Sequence, residues 1–163
     1  MRLGLTFVDA THILGTAGSS LYRNTSYSGS TATLINSPTI PDPAGATADR
    51  LLSYNVINGM ALLAIQSIGD SHVSIYDASN PSAPVYLASG NTTSGTLTAN
   101  GNGVGELGWG PTVANGDGTF SARLYAMSSN QGIQAFTVTV PEPSTLALGL
   151  LGMGVLFRRN GRK

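Results

Sequence analysis

Two apolar runs separated by the pair Asn58-Gly59 constrain the fold of this chain more than any other feature. Leu51–Ile57 precedes the pair and Met60–Gln66 follows it. Asn and Gly both tolerate a positive φ, which the tightest two-residue hairpin turns require. The sequence therefore predicts an antiparallel hairpin over residues 51–66.

Two further strands are predicted to extend this hairpin. His72–Tyr76 alternates polar and apolar residues with a period of two, which is typical of a strand. Asn80–Pro84 predicts a rigid turn, and Val85–Ser89 predicts a fourth strand. Four antiparallel strands within about forty residues match the size of one β-propeller blade.

Strand-like stretches also lie on both sides of this block. The upstream stretches are Leu3–Asp9, Thr11–Gly15, Ser20–Tyr27 and Thr31–Asn36, and the downstream ones are Val104–Trp109, Ser121–Met127 and Gly132–Val140. The first strands of the three blocks start about fifty residues apart, as in the longer propeller repeats. We therefore expect an all-β body over residues 1–139, arranged as a partial β-propeller-like array of about three four-stranded antiparallel blades. The predicted blades cover residues 1–37, 48–90 and 103–139, and a β-sandwich is the alternative.

The composition agrees with a body of short strands. Only 10% of the residues are charged, against about 25% in an ordinary globular domain, and 21 are glycine. Such a mixture favours strands joined by tight turns over helices with charged faces. The chain has no cysteine, which excludes a disulfide scaffold, a thiolate metal site and a cysteine nucleophile.

The charges are divided unevenly along the chain. Residues 1–139 hold four arginines and seven acidic residues, a net charge of −3, whereas four of the eight basic residues lie in the last six positions. Nucleic-acid binding needs clustered Lys and Arg to neutralise phosphates. We therefore expect no nucleic-acid partner for the body.

The glycine motif at Gly103–Gly108 satisfies G-x-G-x-x-G but has the wrong context for a dinucleotide site. Pro111 follows soon after and blocks the helix that would have to receive a pyrophosphate. We interpret these glycines as positions of a bulge or of a close approach to a strand beside Trp109. No cofactor is predicted.

The remaining polar clusters predict turns rather than chemistry. Asp117-Gly118 is typical of a hairpin turn, and Asp70 and Asp77 flank a strand in positions that usually cap turns, although they could ligate a cation. The only histidines, His12 and His72, lie sixty residues apart in predicted strands, and no G-x-S-x-G motif is present. We expect neither a metal site nor catalysis in the body.

The C-terminal segment, residues 140–163, differs from everything before it. Its sequence is VPEPSTLALGLLGMGVLFRRNGRK, in which residues 144–157 carry no charge. As a helix these residues would span about 21 Å, against a hydrocarbon core of about 30 Å. Basic residues after an apolar stretch stay on the cytoplasmic side of a membrane. We therefore expect a short membrane-inserting helix over 144–157 followed by a basic tail over 158–163.

This segment resembles the PEP-CTERM protein-sorting signal of Gram-negative bacteria, which is also classed as an ice-binding-protein C-terminal domain. The resemblance implies three parts in a set order. The sorting motif is Val140, Pro141, Glu142, Pro143, Ser144 and Thr145. The large apolar residues of the membrane segment are Leu146, Leu148, Leu150, Leu151, Met153, Val155, Leu156 and Phe157. The basic stop-transfer residues are Arg158, Arg159, Arg162 and Lys163.

The resemblance implies export, transient anchoring in the inner membrane and processing near Pro141-Glu142-Pro143 by an exosortase. Proteins with this signal typically reach the cell surface or the extracellular matrix, where we expect exopolysaccharide or other matrix components as partners. The stretch His72–Gly90 is similar to a repeat of some secreted bacterial propellers. We therefore expect a non-enzymatic surface or matrix protein.

We expect no signal peptide at the start of the chain, since residues 1–20 lack an apolar stretch of about 7–15 residues. Three blades are also fewer than the four to eight that usually close a propeller. We accordingly expect an N-terminal truncation. The alternative function is that of a C-terminal fragment of an exported propeller enzyme whose catalytic part is missing.

Overall fold

The computed structural model of the chain describes residues 4–17, 20–24, 33–35, 50–67, 73–90, 105–129 and 132–142. Within these ranges the chain is all-β, because ten strands form three antiparallel sheets and no residue is helical. The all-β prediction is confirmed. The helix predicted over 144–157 lies outside the described residues.

The ten strands follow one another through the sheets in sequence order. The first sheet contains β1 (Leu5–Phe7), β2 (Ile13–Ala17) and β3 (Ser20–Asn24). The second contains β4 (Arg50–Ile57), β5 (Met60–Ser67), β6 (Val73–Asp77) and β7 (Val85–Gly90). The third contains β8 (Gly105–Ala114), β9 (Thr119–Ser128) and β10 (Gly132–Pro141). Each sheet is therefore an up-and-down meander.

The hairpin predicted at Asn58-Gly59 is confirmed. Asn58 has a φ of 49° and Gly59 a φ of 81°, and Ile57 pairs with Met60 across the turn. Both central residues thus have the positive φ that a type I′ turn requires. This turn sets the register of β4 against β5, so that alternate side chains of both strands share a face.

The turn predicted at Asn80–Pro84 is confirmed as well. The Ala83 amide donates to the Asn80 carbonyl at 2.9 Å, and the Ser82 amide donates to the Asn80 side-chain oxygen at 3.1 Å. The Asn80 side chain thereby replaces a backbone acceptor in the tight connection between β6 and β7.

Several predicted strand limits differ from the structure. The predicted strand Thr11–Gly15 begins only at Ile13, because the preceding residues form a turn around Asp9. Of the predicted strand Thr31–Asn36 the structure describes residues 33–35, where Leu34 makes an isolated bridge. Four strands were expected in the first blade, and three are seen among the described residues.

The second sheet is apolar on both faces. One face packs against the third sheet, and the other packs against the first sheet through Leu14. The residues that face the third sheet are Ile57, Leu62, Ala64, Val73 and Ile75. Those on the opposite face are Leu52, Leu63, Ile65 and Tyr76, together with Ala78 just after β6. All ten are buried, so the second sheet supplies most of the core in the described part of the chain.

The first strands of the three sheets lie next to one another. The β4 strand contacts both β1 and β8. The Tyr54 amide donates to the Thr6 hydroxyl at 3.1 Å, and the Trp109 indole N–H donates to the Ser53 carbonyl at 3.3 Å. The sheets therefore meet along their first strands, which places β7 and β10 at the opposite edge.

Residues 105–108 of the glycine motif lie in the β8 strand. A Cβ at Gly105 would collide with the Met127 carbonyl oxygen and lie 2.9 Å from Leu51. Beyond Trp109 the ladder with β9 shifts register before Thr112. The predicted close approach is therefore confirmed at Gly105, and the register shift lies just beyond the motif, after Trp109.

The glycines of β8 give a matched test of this packing. Gly105→Ala should lower the free energy of unfolding by about 1–3 kcal/mol, because the methyl group overpacks a backbone contact. Gly108→Ala is the control, since no atom lies within 4 Å of a Cβ built there. Urea denaturation of both variants measures the difference. Equal unfolding free energies for the two variants would contradict the close approach at Gly105.

Candidate functional site: the junction after the last strand

The predicted sorting motif begins inside the folded body. Val140 lies in β10 with only 4% of its surface exposed, and it belongs to the core between the second and third sheets. Pro141 is the last residue of the strand, is exposed, and pairs with Thr119 of β9. The first residue of the motif is thus a core residue, and the accessible part begins at Pro141.

Glu142 is held against the turn between β8 and β9. Its amide donates to the Gly118 carbonyl at 3.2 Å, and its side chain is half-buried. The Glu142 carboxyl carbon lies 3.9 Å from the position that a Cβ would occupy on Gly118. Gly118 has a φ of 80°, so the turn also needs glycine for its backbone conformation. The turn thereby fixes the direction in which the chain leaves the body.

A hydrogen-bonded network stiffens this turn. The Asp117 carboxylate accepts from the Thr119 hydroxyl at 2.7 Å and from the Thr119 amide at 3.0 Å. The Asn115 side-chain amide donates to the Thr119 hydroxyl at 2.7 Å, and the Ser121 hydroxyl donates to the Asn115 oxygen at 3.1 Å. The two bonds from Thr119, the hydroxyl first, lower the pKa of Asp117. The hairpin turn predicted at Asp117-Gly118 is confirmed.

The rest of the predicted sorting signal lies outside the described residues. This applies to Pro143, Ser144 and Thr145, to the apolar residues 146–157 and to the basic tail 158–163. Among the described residues, no helix has the length and apolar character needed to cross a membrane.

The turn before β2 contains a carboxylate, Asp9, whose pKa is strongly lowered. The Thr11 amide and hydroxyl donate to Asp9 at 2.8 and 3.0 Å, and His12 Nδ1 lies 2.6 Å from Asp9 Oδ2. The Thr11 amide bond, followed by the His12 contact, lowers the pKa of Asp9 from 3.8 to about 2. His12 was predicted in a strand and instead lies in this turn, just before β2. All these bonds span three residues or fewer on an exposed loop, which is the pattern of a turn cap.

The other candidate residues for chemistry form no cluster among the described residues. Asp77 caps the turn after β6, where it accepts from the Ser79 amide at 2.8 Å. Asp70 and His72 lie outside the described residues. Within the described ranges, no three His, Asp or Glu side chains are grouped in a way that could hold a metal ion.

An apolar cleft was missed by reading the sequence. A cavity of about 320 Å³ lies between the second and third sheets, at the edge formed by β7 and β10. Leu87, Ala88, Phe136, Val138 and Pro141 are among the residues that line it. Its two walls are about fifty residues apart in the chain, so no local pattern could have indicated it.

Comparison with known proteins identifies the segment that begins at this junction. Residues 139–163 match the PEP-CTERM protein-sorting motif. No curated protein and no solved structure is significantly similar to the chain. The chain thus carries a signal that implies export and processing by an exosortase, and the predicted resemblance of its C-terminal segment is confirmed.

The lowered pKa of the Asp9 carboxyl group can be measured by titration. A carbon-detected NMR titration of the Asp9 carboxyl should give a midpoint at pH about 2. Because the folded-state pKa lies below the ordinary value of 3.8, the stabilisation by the ionised carboxylate is complete above pH 4 and is lost as the pH falls through about 2.

The variant His12→Ala separates the two causes of this shift. It should raise the pKa of Asp9 only part of the way, because the bond from the Thr11 amide is the larger cause and remains. A midpoint of 3.8 in the parent protein would contradict the turn geometry.

Proposed function

We propose that this chain is a non-enzymatic protein of the cell surface or extracellular matrix, delivered there by its C-terminal PEP-CTERM signal. The observation that carries the proposal is the match of residues 139–163 to the sorting motif, directly at the end of a folded β-sheet. In this proposal the exosortase processes the chain near Pro141-Glu142-Pro143. The apolar residues 144–157 hold it briefly in the inner membrane.

The arrangement at the junction supports recognition of a short accessible element. Pro141 is exposed at the end of β10, and Glu142 follows it directly. Val140 is buried and anchors the strand end in the core. In this proposal Val140 contributes by holding the strand end in place, while Pro141, Glu142 and the following Pro143 contact the enzyme.

The body is proposed to be propeller-like. Its three sheets meet along their first strands, and a second cleft of about 410 Å³ lies where β1, β4 and β8 come together. A propeller has its central channel in the corresponding place. Such a body would present loops and strand edges to exopolysaccharide or to other matrix components, which are the proposed partners.

The alternative is a C-terminal fragment of an exported propeller enzyme whose catalytic part is missing. This alternative is favoured by the large apolar side chains that the first and third sheets expose. Leu5 and Phe7 in β1 are 57% and 55% exposed, and Ile133 in β10 is 67% exposed. Further sheets would cover these side chains. The mass of the protein from its native host separates the alternatives, since this chain alone weighs 16.7 kDa.

Replacing Pro141-Glu142-Pro143 by three alanines tests the sorting proposal. The full chain is placed behind a secretory leader and expressed in a Gram-negative host that has an exosortase. The parent should be cut near the motif and lose the membrane segment. The triple variant should stay uncut in the inner-membrane fraction, because the recognition element is gone.

Mass spectrometry of the C-terminus checks this result. Thr137→Ser is the control, because it changes an exposed position two residues before the matched segment and should leave processing unchanged. A parent chain with an intact C-terminus in the exosortase host would contradict the proposal, as would equal processing of the parent and the triple variant.

A further inference from the structure

The apolar cleft between β7 and β10 is narrow at one end and reaches the sorting junction at the other. At the narrow end, Gly90 packs so closely under Phe136 that a Cβ there would lie 2.5 Å from the ring. Pro141 lines the cleft five residues further along β10, about 17 Å away in an extended strand. The sorting segment therefore leaves the body at the cleft itself.

The walls of the cleft leave apolar surface in contact with water. None of the side chains that line it is charged, and Leu87 of β7 is 44% exposed. On the opposite wall β10 is an edge strand in the described part of its sheet. An edge strand beside exposed apolar side chains favours the addition of another apolar segment.

The residues that follow the junction have the chemistry that such a cleft would accept. Residues 144–157 carry no charge, and Leu146, Leu148 and Leu150 recur with a period of two. In an extended segment, residues two apart lie on the same face, so these three leucines would project together. Glu142-Pro143-Ser144-Thr145 suits a reversal of the chain, because proline favours the second position of a type I turn.

The distances allow the segment to reach the cleft. Leu148 is six residues beyond Glu142, which gives a reach of up to about 20 Å. The cleft begins at Pro141, so a turn after Glu142 brings the leucines alongside β10 without a linker. A cavity of about 320 Å³ holds a few aliphatic side chains, and not all of the apolar residues of the segment.

We propose that residues 146–150 of this chain dock into the cleft between β7 and β10 while the protein is away from a membrane. Docking shields the apolar part of the sorting segment from water. A bilayer then competes for the same leucines and draws the segment out. Only the release of the segment by a bilayer rests on the proposed sorting function. Docking itself can be measured on the purified chain.

The absence of native cysteine allows a direct test by disulfide cross-linking. Leu87→Cys and Leu148→Cys are introduced together into the full chain, which is refolded without detergent and oxidised mildly. A disulfide forms only when the two Cα atoms approach within about 7 Å. We expect a cross-linked monomer on non-reducing gels, with the peptide pair identified by mass spectrometry.

The matched control places the first cysteine on the other face of the third sheet. The exposed fraction of Val113 is 56%, which is larger than that of Leu87. Val113 is two strands away from Thr139, because Thr139 of β10 pairs with Ser121 of β9, and Ser121 pairs with Val113 of β8. The segment can therefore reach Val113→Cys about as readily as Leu87→Cys.

Docking predicts that the disulfide between Leu87→Cys and Leu148→Cys forms at least tenfold faster than the disulfide between Val113→Cys and Leu148→Cys. Vesicles of phosphatidylethanolamine and phosphatidylglycerol should slow this closure.

Three results would overturn the proposal. They are equal rates for the two pairs, cross-linked dimers without cross-linked monomer, and a full chain that yields only aggregates in aqueous buffer. Ala88→Cys replaces Leu87→Cys if the latter lowers the thermal midpoint, because Ala88 also lines the cleft. The assay contains no exosortase, so a negative result here does not contradict the sorting proposal. Failed processing in cells, in turn, does not contradict docking.

Discussion

The burial of the second sheet on both faces is the constraint on which the rest of this structure depends. Leu62 and Leu63 are adjacent in β5, point to opposite faces and are both completely buried. Full burial of a leucine contributes about 1.5–3 kcal/mol. All the substantial contacts between different sheets in the described part of the chain involve the second sheet. The first and third sheets are therefore held in place through it.

The same constraint positions the sorting junction. Val140 packs into the core that the second and third sheets share, and this fixes the end of β10. The bond from the Glu142 amide to the Gly118 carbonyl then holds the next residue against the adjacent turn. The first three residues of the motif, Val140 to Glu142, are thus held by a packed strand end.

Much of this fold could be predicted from local patterns. Asn58-Gly59 predicts its hairpin because two consecutive residues with positive φ are hard to place elsewhere. The limits of the strands are less predictable. Asp9, Thr11 and His12 form a side-chain cap, so that β2 begins after the cap and not at Thr11. Polar and apolar alternation around His12 does not reveal such a cap.

The candidate site was predictable only in part. The motif at residues 140–145 stands out because charge, proline and the apolar run occur in a set order. The burial of Val140 depends on residues of β5, β6 and β9, which are distant in the chain. The apolar cleft likewise forms between strands about fifty residues apart. Properties of this kind arise from tertiary packing and leave no local signal.

Native-state hydrogen exchange tests most directly whether the second sheet organises the fold. The amides of Leu62–Gln66 in β5 should exchange slowest and only through global unfolding, because both faces of this strand are covered. The amides of the β1–β2 hairpin should exchange faster, through local opening. If the β5 amides exchange as fast as those of the β1–β2 hairpin, the central role of the second sheet is wrong.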